Sequence, residues 1–160
     1  ATFWFRIRAE VLVAGSDSRQ SERPARLGAP RRALSGRVLV VDDNAVNRKV
    51  AQALLNKLAI AADTADNGSE AVSALMSGEA YDLVLMDIEM PVLDGIAATR
   101  AIRQLPGHAA TPIVAMTANA FAEDKARCLD AGMSDFIAKP VDPDLLFAML
   151  DRWLNSQESA

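Results

Sequence analysis

The chain has 160 residues, a length that suits one domain with a substantial core, and its single cysteine, Cys128, excludes an internal disulfide framework. Its net charge of −4 is unevenly placed, because residues 1–36 carry seven arginines against three acids, a net +4, whereas residues 37–160 carry a net −8. The acidic body argues against a nucleic-acid-binding domain, and no apolar run approaches the roughly 18 residues of a membrane-spanning helix.

The first 35 residues differ in pattern from the rest. The segment 1–13 is rich in strong β formers and is predicted to be one strand without a sheet of its own. Because a lone strand is unstable in water, we expect it to pair with a neighbouring chain or to be the edge of an absent domain. Residues 14–35 dilute their arginines with Ser, Pro and Gly and are predicted to be a flexible linker. Without a basic and then apolar signal segment, the chain looks like an excised piece.

From residue 37 onward, short apolar runs alternate with helical patterns. Near-continuous Val, Ile and Leu runs separated by helices are typical of parallel strands buried on both faces. Five strand–helix pairs with right-handed crossovers predict a doubly wound sheet. The predicted strands are 37–41, a weak one at 60–65, 81–86, 112–116 and 135–138, and helices are predicted after Asn44, at 69–76, at 94–105, through 121–129 and after Asp142.

The first of these helices is predicted to begin after Asn44, which is a good N-cap residue. Four apolar residues follow at four-residue spacing, which predicts a stripe facing the core: Val46, Val50, Leu54 and Leu58. On the fourth helix, Cys128 is expected to be a buried structural thiol.

Four of the strands end on residues that phosphoryl chemistry can use. Ligands of an open α/β sheet bind outside the carboxyl ends of its strands, and neighbouring strands lie only about 5 Å apart. We therefore expect three carboxylates, a hydroxyl and an amine to converge at one edge and form a metal-and-phosphate site: Asp42, Asp43, Asp87, Thr117 and Lys139.

The residue types at this edge suggest individual roles. A carboxylate can attack a phosphoryl group and form an aspartyl phosphate, so Asp87 is the candidate nucleophile. Asp42 and Asp43 can hold Mg²⁺, which takes a few carboxylates and leaves positions for water and phosphate oxygens. Lys139 offers a fixed positive charge and Thr117 a hydroxyl for a phosphate oxygen. Taken singly, each residue is more often a helix cap, a turn former or a solvated charge, so the prediction depends on their joint placement.

Four motifs, in order and correctly spaced, resemble the response-regulator receiver domain over residues 36–155. They begin at Val38 (Val-Leu-Val-Val-Asp-Asp-Asn), Met86 (Met-Asp-Ile-Glu-Met-Pro-Val-Leu-Asp-Gly), Ala115 (Ala-Met-Thr-Ala) and Lys139 (Lys-Pro). The resemblance implies an α/β, flavodoxin-like fold with a five-stranded parallel sheet in the order 2-1-3-4-5 and five helices. It also implies phosphorelay signalling with Mg²⁺ as cofactor, in which this fragment catalyses only its own phosphorylation and dephosphorylation.

The resemblance also implies a role for each site residue. By position, Asp87 is the phosphoacceptor. Asp43 and Asp87 are implied to bind Mg²⁺ together with the backbone carbonyl of Glu89, while Asp42 helps through water. The remaining roles concern the phosphoryl group and the switch: Thr117 and Lys139 contact the phosphoryl group, Thr117 and Phe136 form the conformational switch, and a cis peptide bond precedes Pro140.

Finer motifs are similar to the receivers of bacterial hybrid sensor histidine kinases: 42–44 followed by 47–48, then 117–120 and 128–133. Segment 1–13 resembles the last strand of a kinase ATP-binding domain, which makes 14–35 the linker and 156–160 a tail. The implied partners are a histidine kinase core and a His phosphotransfer domain, docking on Asn44, Val46, Asn47 and Arg48. We further expect a weak homodimer and a cytoplasmic location, within a parent protein that could be anchored in a membrane. We expect this fragment to bind no nucleic acid and to make no direct contact with a membrane.

Three other functions compete with this interpretation. The first is a stand-alone single-domain response regulator that acts by phosphorylation-dependent protein binding. The second is an aspartyl-phosphate phosphatase on a related fold, but such enzymes need a second Asp two residues after the first-strand nucleophile, and Asn44 stands two residues after Asp42. The third, a degenerate interaction module without phosphorylation, is disfavoured because no site residue is missing.

Overall fold

The computed structural model describes residues 34–118 and 121–158. The predicted strand in 1–13 and the predicted linker up to residue 33 lie outside the described residues. The strands are β1 (Arg37–Val41), β2 (Ala61–Ala65), β3 (Leu83–Asp87), β4 (Ile113–Thr117) and β5 (Asp135–Ala138). The helices are α1 (Ala45–Lys57), α2 (Gly68–Met76), α3 (Gly95–Arg103), α4 (Ala122–Ala131) and α5 (Pro143–Glu158). Because α5 continues to Glu158, part of the predicted tail at 156–160 is helical.

The five strands form one parallel sheet in the order β2-β1-β3-β4-β5, which confirms the predicted doubly wound topology. Every residue of β3 and β4 is buried, as the continuous apolar runs indicated. In the register, Asp87 of β3 pairs with Met116 of β4 and Thr117 pairs with Ala138 of β5. The carboxyl ends of the central strands are therefore level with one another.

Helices cover both faces of the sheet. Alternate strand residues point to opposite faces, so Leu39 and Val41 of β1 pack with residues of α2, α3 and α4, and Val38 and Val40 pack with α1 and α5. Cys128 is 2% exposed within the first of these layers, which confirms that its thiol is buried. Among the described residues, no helix is long and apolar enough to cross a membrane.

The predicted core-facing stripe of α1 is wrong for two of its four members. Val46 is 67% exposed and Val50 is 51% exposed, whereas Ala51 and Leu55 are buried. Leu54 and Leu58 lie half-buried at the margin of the core. The four-residue spacing identified a helix, but the buried row is displaced by one residue, because the small side chain of Ala51 packs against the sheet.

The loop between β3 and α3 is tightly held beside the end of β3. The Leu93 N–H donates to the Pro91 carbonyl at 2.8 Å, which closes a γ-turn with Val92 at a φ of 70°. The Gly95 N–H donates to the Ile88 carbonyl at 3.0 Å, and a Cβ at position 95 would lie 2.1 Å from the Asp87 carbonyl oxygen. Only glycine allows this close approach, which draws the start of α3 against the backbone of Asp87.

Candidate functional site

A cleft of about 500 Å³ opens at the carboxyl edge of the sheet. Asp43, Asp87, Thr117 and Lys139 line it, so the structure brings together four of the five residues that the sequence predicted to converge. The fifth, Asp42, is 1% exposed, and its Oδ2 lies 2.9 Å from the Lys139 Nζ. These side chains follow or end β1, β3, β4 and β5, which explains why they meet here.

The carboxylate of Asp42 is held by several donors. Its Oδ1 accepts from the Asn44 N–H at 2.8 Å, and its Oδ2 accepts from the Asn47 Nδ2 at 3.3 Å and from the Lys139 Nζ. The backbone N–H of Asp42 donates to the Ala65 carbonyl at 3.3 Å. A buried carboxylate with this many donors has a fixed orientation, so the Asp42 side chain is a rigid part of the site.

Lys139 links two carboxylates that come from different strands. Its Nζ lies 2.9 Å from Asp42 Oδ2 and 3.0 Å from Asp87 Oδ2. Burial by itself lowers the pKa of Lys139, but hydrogen bonds and charges from Asp42 and Asp87 together outweigh it and raise the pKa above its ordinary value. The ammonium therefore stays charged at neutral pH. The peptide bond between Lys139 and Pro140 is cis, as the resemblance implied.

Asp87 is the buried carboxylate at the floor of the cleft, with only 4% of the residue exposed. Burial raises the pKa of its carboxyl above the ordinary value, and the charge of Asp42 adds to this rise. Lys139 and the Glu89 N–H, which donates to Asp87 Oδ1 at 3.3 Å, act in the opposite direction without cancelling it. Asp87 is thus a poorly solvated carboxylate beside a fixed cation, an arrangement suited to nucleophilic attack on an anionic group.

The three aspartates fit a divalent cation. Asp42, Asp43 and Asp87 each offer a carboxylate oxygen, and these three oxygens lie within 4.8 Å of one another. Asp43 is exposed, and among the described residues nothing bonds to its carboxylate, so this side chain is available as a ligand. An all-oxygen donor set with an open side is what Mg²⁺ prefers, because it retains several water ligands.

The two predicted switch residues lie in different surroundings. Thr117 is 7% exposed at the end of β4 and lines the cleft. Phe136 is half-buried on β5, pairs in register with Ala115, and packs against the core layer formed with α2, α3 and α4. The Lys125 Nζ lies 4.3 Å from the centroid of its ring. Phe136 is therefore one strand away from Thr117 and outside the described lining of the cleft.

The predicted docking residues divide into two groups. Asn44, Val46 and Asn47 are exposed at the start of α1, next to the cleft. The side chain of Arg48, in contrast, is 15% exposed and bonds to the Asp42 carbonyl and the Asp66 carboxylate. A shallow hollow of about 160 Å³ adjoins the first group; its apolar lining is Val50, Ala51, Met116, Pro140 and Val141.

A response regulator receiver domain model matches residues 38–151 of this chain. The chain belongs to this family. Three quarters of the chain (76%) superimpose on the receiver domain of the sensor histidine kinase PA1611 from Pseudomonas aeruginosa, with 40% identity, 98% of that chain covered and a TM-score of 0.70. That receiver was crystallised with a magnesium ion coordinated in the active site cleft.

Curated relatives of this receiver are sensor histidine kinases. The chain is 43% identical over 116 residues to BarA of Escherichia coli, which covers 72% of this chain, and 39% identical over 132 residues to GacS of Pseudomonas syringae, which covers 81%. The chain spans 12% and 14% of the lengths of these two proteins. A further structural relative, from Saccharomyces cerevisiae, is the co-crystal of the phosphotransfer protein Ypd1 with the receiver of Ssk1; the match has 32% identity and a TM-score of 0.71, and covers 78% of this chain and 92% of that one.

Two charged residues at the mouth of the receiver's cleft were not among those predicted from the sequence. Asp124 and Arg127 on α4 line it, and their side chains approach to 3.7 Å. The only available signal was their place in the first turns of the helix that follows β4, the strand that ends on Thr117. The sequence likewise gave no indication that Arg48 bonds to the backbone of Asp42.

Proposed function

We propose that this receiver accepts a phosphoryl group from a phosphohistidine onto Asp87, with Mg²⁺, and passes it to a His phosphotransfer partner as part of a hybrid sensor histidine kinase. The observation that carries the proposal is the buried Asp87 carboxylate, 3.0 Å from Lys139 and clustered with Asp42 and Asp43 in an open cleft. The kinase relatives and the Ypd1–Ssk1 complex support the phosphorelay and a phosphotransfer partner.

In the proposed reaction, an Oδ atom of Asp87 attacks the phosphorus atom as the N–P bond of the donor phosphohistidine breaks. The electron pair of that bond returns to the imidazole nitrogen. The imidazole leaves as the neutral ring when its other nitrogen already carries a proton, and otherwise it takes up one proton from water. Catalysis of this step consists mostly of positioning and charge neutralisation. The cation supplies part of that neutralisation when bound, and Asp43, Asp87 and the Glu89 carbonyl would hold it, with Asp42 acting through water.

The chain's own residues supply the rest. The Lys139 ammonium lies within hydrogen-bonding distance of Asp87, so it is placed to bind an oxygen of a group attached there. The Thr117 hydroxyl on the neighbouring strand would bind a second phosphoryl oxygen. The buried position of Asp87 limits its contact with water, which would slow hydrolysis of the aspartyl phosphate.

We propose that the partner docks on the start of α1 and the adjoining hollow. Val46 and Val50 present exposed apolar side chains there, Asn44 and Asn47 are polar neighbours, and Pro140 and Val141 complete the apolar surface. A small contact with an apolar centre and polar rim suits transient transfer. Arg48 fits this surface poorly, because its guanidinium is engaged with Asp42 and Asp66.

The origin of the chain in a larger kinase remains part of the proposal. It assigns segment 1–13 to the ATP-binding domain, 14–35 to the linker, 36–155 to the receiver and 156–160 to a tail. A weak homodimer and a cytoplasmic location of the receiver belong to the same proposal. The direct check is to incubate a purified, phosphorylated histidine kinase core with this receiver and to measure the transfer of the phosphoryl group between them.

Incubation with acetyl phosphate and Mg²⁺, followed by intact mass measurement, tests the reaction itself. We expect a gain of one phosphoryl group in the wild type, none in Asp87→Asn, and wild-type labelling in Asp130→Asn, a matched change of an exposed aspartate on α4. Continuous release of phosphate without a stable adduct would instead support a phosphatase. No reaction at all would support the degenerate interaction module.

A further inference from the structure

Arg48 occupies an unusual position for a charged residue near the surface of a helix. Its side chain is 15% exposed, its Nη1 donates to the backbone carbonyl of Asp42 at 2.6 Å, and its Nη2 lies 2.9 Å from Asp66 Oδ1. One guanidinium thus joins α1, the turn after β1 and the loop after β2. Arginine suits this role because its planar fork can bond two acceptors in fixed directions.

The Asp42 carbonyl, to which Arg48 donates a hydrogen bond, belongs to the peptide unit that connects Asp42 to Asp43. The Asp42 carboxylate is fixed independently by Asn47 and Lys139. The Asp43 carboxylate, in contrast, is exposed and bonds to nothing within the described residues, so its position depends on the backbone that carries it. Among the described residues, Asp43 is thus the one carboxylate of the cluster without a hydrogen bond to its side chain, and Arg48 bonds to the peptide that leads to it.

Asp66, whose side chain is 61% exposed, is the acidic partner of the Arg48 guanidinium. The backbone N–H of Asp66 donates to Glu70 Oε2 at 2.8 Å, so the loop that carries the Asp66 carboxylate is itself anchored to α2. The Asp66 carboxylate also offsets the charge of Arg48. An arginine without such a partner beside three carboxylates would oppose the approach of a cation, whereas the paired arginine contributes mainly geometry.

We propose that Arg48 is a positioning residue for the metal-binding turn, in which it holds the Asp42–Asp43 peptide so that the Asp43 carboxylate is preorganised for Mg²⁺, with Asp66 as its anchor. The inference rests on the Mg²⁺ site of the proposed function and adds a residue that does not touch the ion. Replacement of a residue that orients a metal ligand without touching the metal typically lowers the metal affinity by about 10- to 100-fold.

Mg²⁺ titration by calorimetry tests this inference without any measurement of phosphoryl transfer. We expect Arg48→Met to weaken Mg²⁺ binding at least about tenfold. Arg48→Lys, which keeps the charge but loses the fork, should lie between Arg48→Met and the wild type. Asp66→Asn should weaken binding less than Arg48→Met. The matched control is Gln52→Ala, because Gln52 on the same helix donates to a backbone carbonyl of β2, that of Ala62, at 2.9 Å; its loss should lower stability and leave Mg²⁺ affinity unchanged.

A second measurement on the metal-free protein separates positioning from general stability. Asn44 follows Asp43 in the chain, and its backbone N–H donates to Asp42 Oδ1. Its amide hydrogen should exchange faster in Arg48→Met and Arg48→Lys than in Gln52→Ala. Wild-type Mg²⁺ affinity and Asn44 exchange in folded Arg48→Lys would overturn the inference, and this variant decides the matter if Arg48→Met does not fold. A wild-type chain that binds no Mg²⁺ would instead refute the proposed metal site, and the inference with it.

Discussion

The ammonium of Lys125 lies over the ring of Phe136, with its Nζ 4.3 Å from the ring centroid. The contact joins α4 to β5 at the position where the family resemblance implies a switch aromatic. A cation over an aromatic face contributes roughly 0.5–1 kcal/mol at an exposed site. Phe136 is half-buried, and the contact with Lys125 stabilises the ring in the position that the structure shows.

Removal of this contact should favour the activated state. If activation moves Phe136 away from Lys125, Lys125→Met removes a stabilisation of the resting state only, and affinity for the phosphoryl analogue beryllofluoride should rise about two- to fivefold. The matched control is Lys57→Met, on an exposed lysine in the last turn of α1. Titration of both variants in the presence of Mg²⁺ provides the measurement, and weaker binding in Lys125→Met would contradict the expected direction.

The sheet and the convergence of the site could be predicted from the sequence because both depend on strong, local signals. Short continuous apolar runs such as 83–86, separated by helical patterns, are typical of strands buried on both faces, and the structure places a strand there. Once parallel strands are assigned, their carboxyl ends must lie at one edge. Asp42, Asp87 and Lys139 then meet without any further assumption.

Helix faces and backbone contacts could not be predicted in the same way. Four-residue spacing shows that α1 is a helix, but two adjacent rows share that spacing, and the choice between Val50 and Ala51 depends on how closely the helix approaches the sheet. The bond from Arg48 to the Asp42 carbonyl involves an acceptor that every residue possesses. No pattern of residue types identifies such an acceptor.

Asp87→Asn should stabilise the metal-free protein at neutral pH. Burial raises the pKa of Asp87 in the folded state above its unfolded value, so ionisation of this carboxyl costs folding free energy as the pH rises from the ordinary value, about 4, through the raised pKa. Asparagine never ionises and avoids that cost. Thermal melting in EDTA should therefore show a higher Tm for the variant at pH 7, with the difference closing toward about pH 4. A lower Tm at pH 7 would refute this sign.

Mg²⁺ should stabilise the wild type and lose this effect when Asp43 is replaced. Asp43→Ala removes an exposed side chain without a partner among the described residues, so the metal-free stability should change by less than about 0.5 kcal/mol. The rise of Tm with millimolar Mg²⁺, which follows from mass action, should largely disappear. Asp130→Ala, at an exposed site on α4, should keep the full response. An unchanged Mg²⁺ response in Asp43→Ala would exclude this carboxylate as a ligand.

Val92→Asn should stabilise the fold by relieving backbone strain. Val92 is a β-branched residue at a φ of 70°, in a γ-turn, and it is 84% exposed, so little packing is lost on its replacement. A positive φ is an outlier for a β-branched residue, and strain of this kind costs on the order of 1–3 kcal/mol, whereas asparagine adopts positive φ several-fold more often than most residues. Denaturant unfolding should show a gain of about 1 kcal/mol. Val50→Asn, at an exposed valine inside α1, should give no such gain.

The docking proposal predicts a selective loss of transfer when the exposed valines of α1 are made polar. Val46→Ser combined with Val50→Ser removes two apolar side chains that are 67% and 51% exposed, so the fold should tolerate the change. The change also leaves the bonds of Asn47 and Arg48 to Asp42 intact. Transfer from a phosphorylated His phosphotransfer domain should slow at least about tenfold, which corresponds to about 1.4 kcal/mol of lost contact energy.

Two comparisons show whether that loss reflects docking. Acetyl phosphate needs no protein partner, so its labelling of Asp87 should change much less than transfer from the phosphotransfer domain. Met76→Ser on α2 is the matched surface change, because Met76 is 66% exposed. Among the described residues, it is not one of those that line the cleft or the hollow beside α1. Equal losses in both assays would mean that the valine substitutions damaged the site, and full transfer by the double variant would place the docking surface elsewhere on the receiver. A loss confined to protein-dependent transfer is the result expected if the partner's helices rest on Val46 and Val50 while its phosphohistidine reaches Asp87.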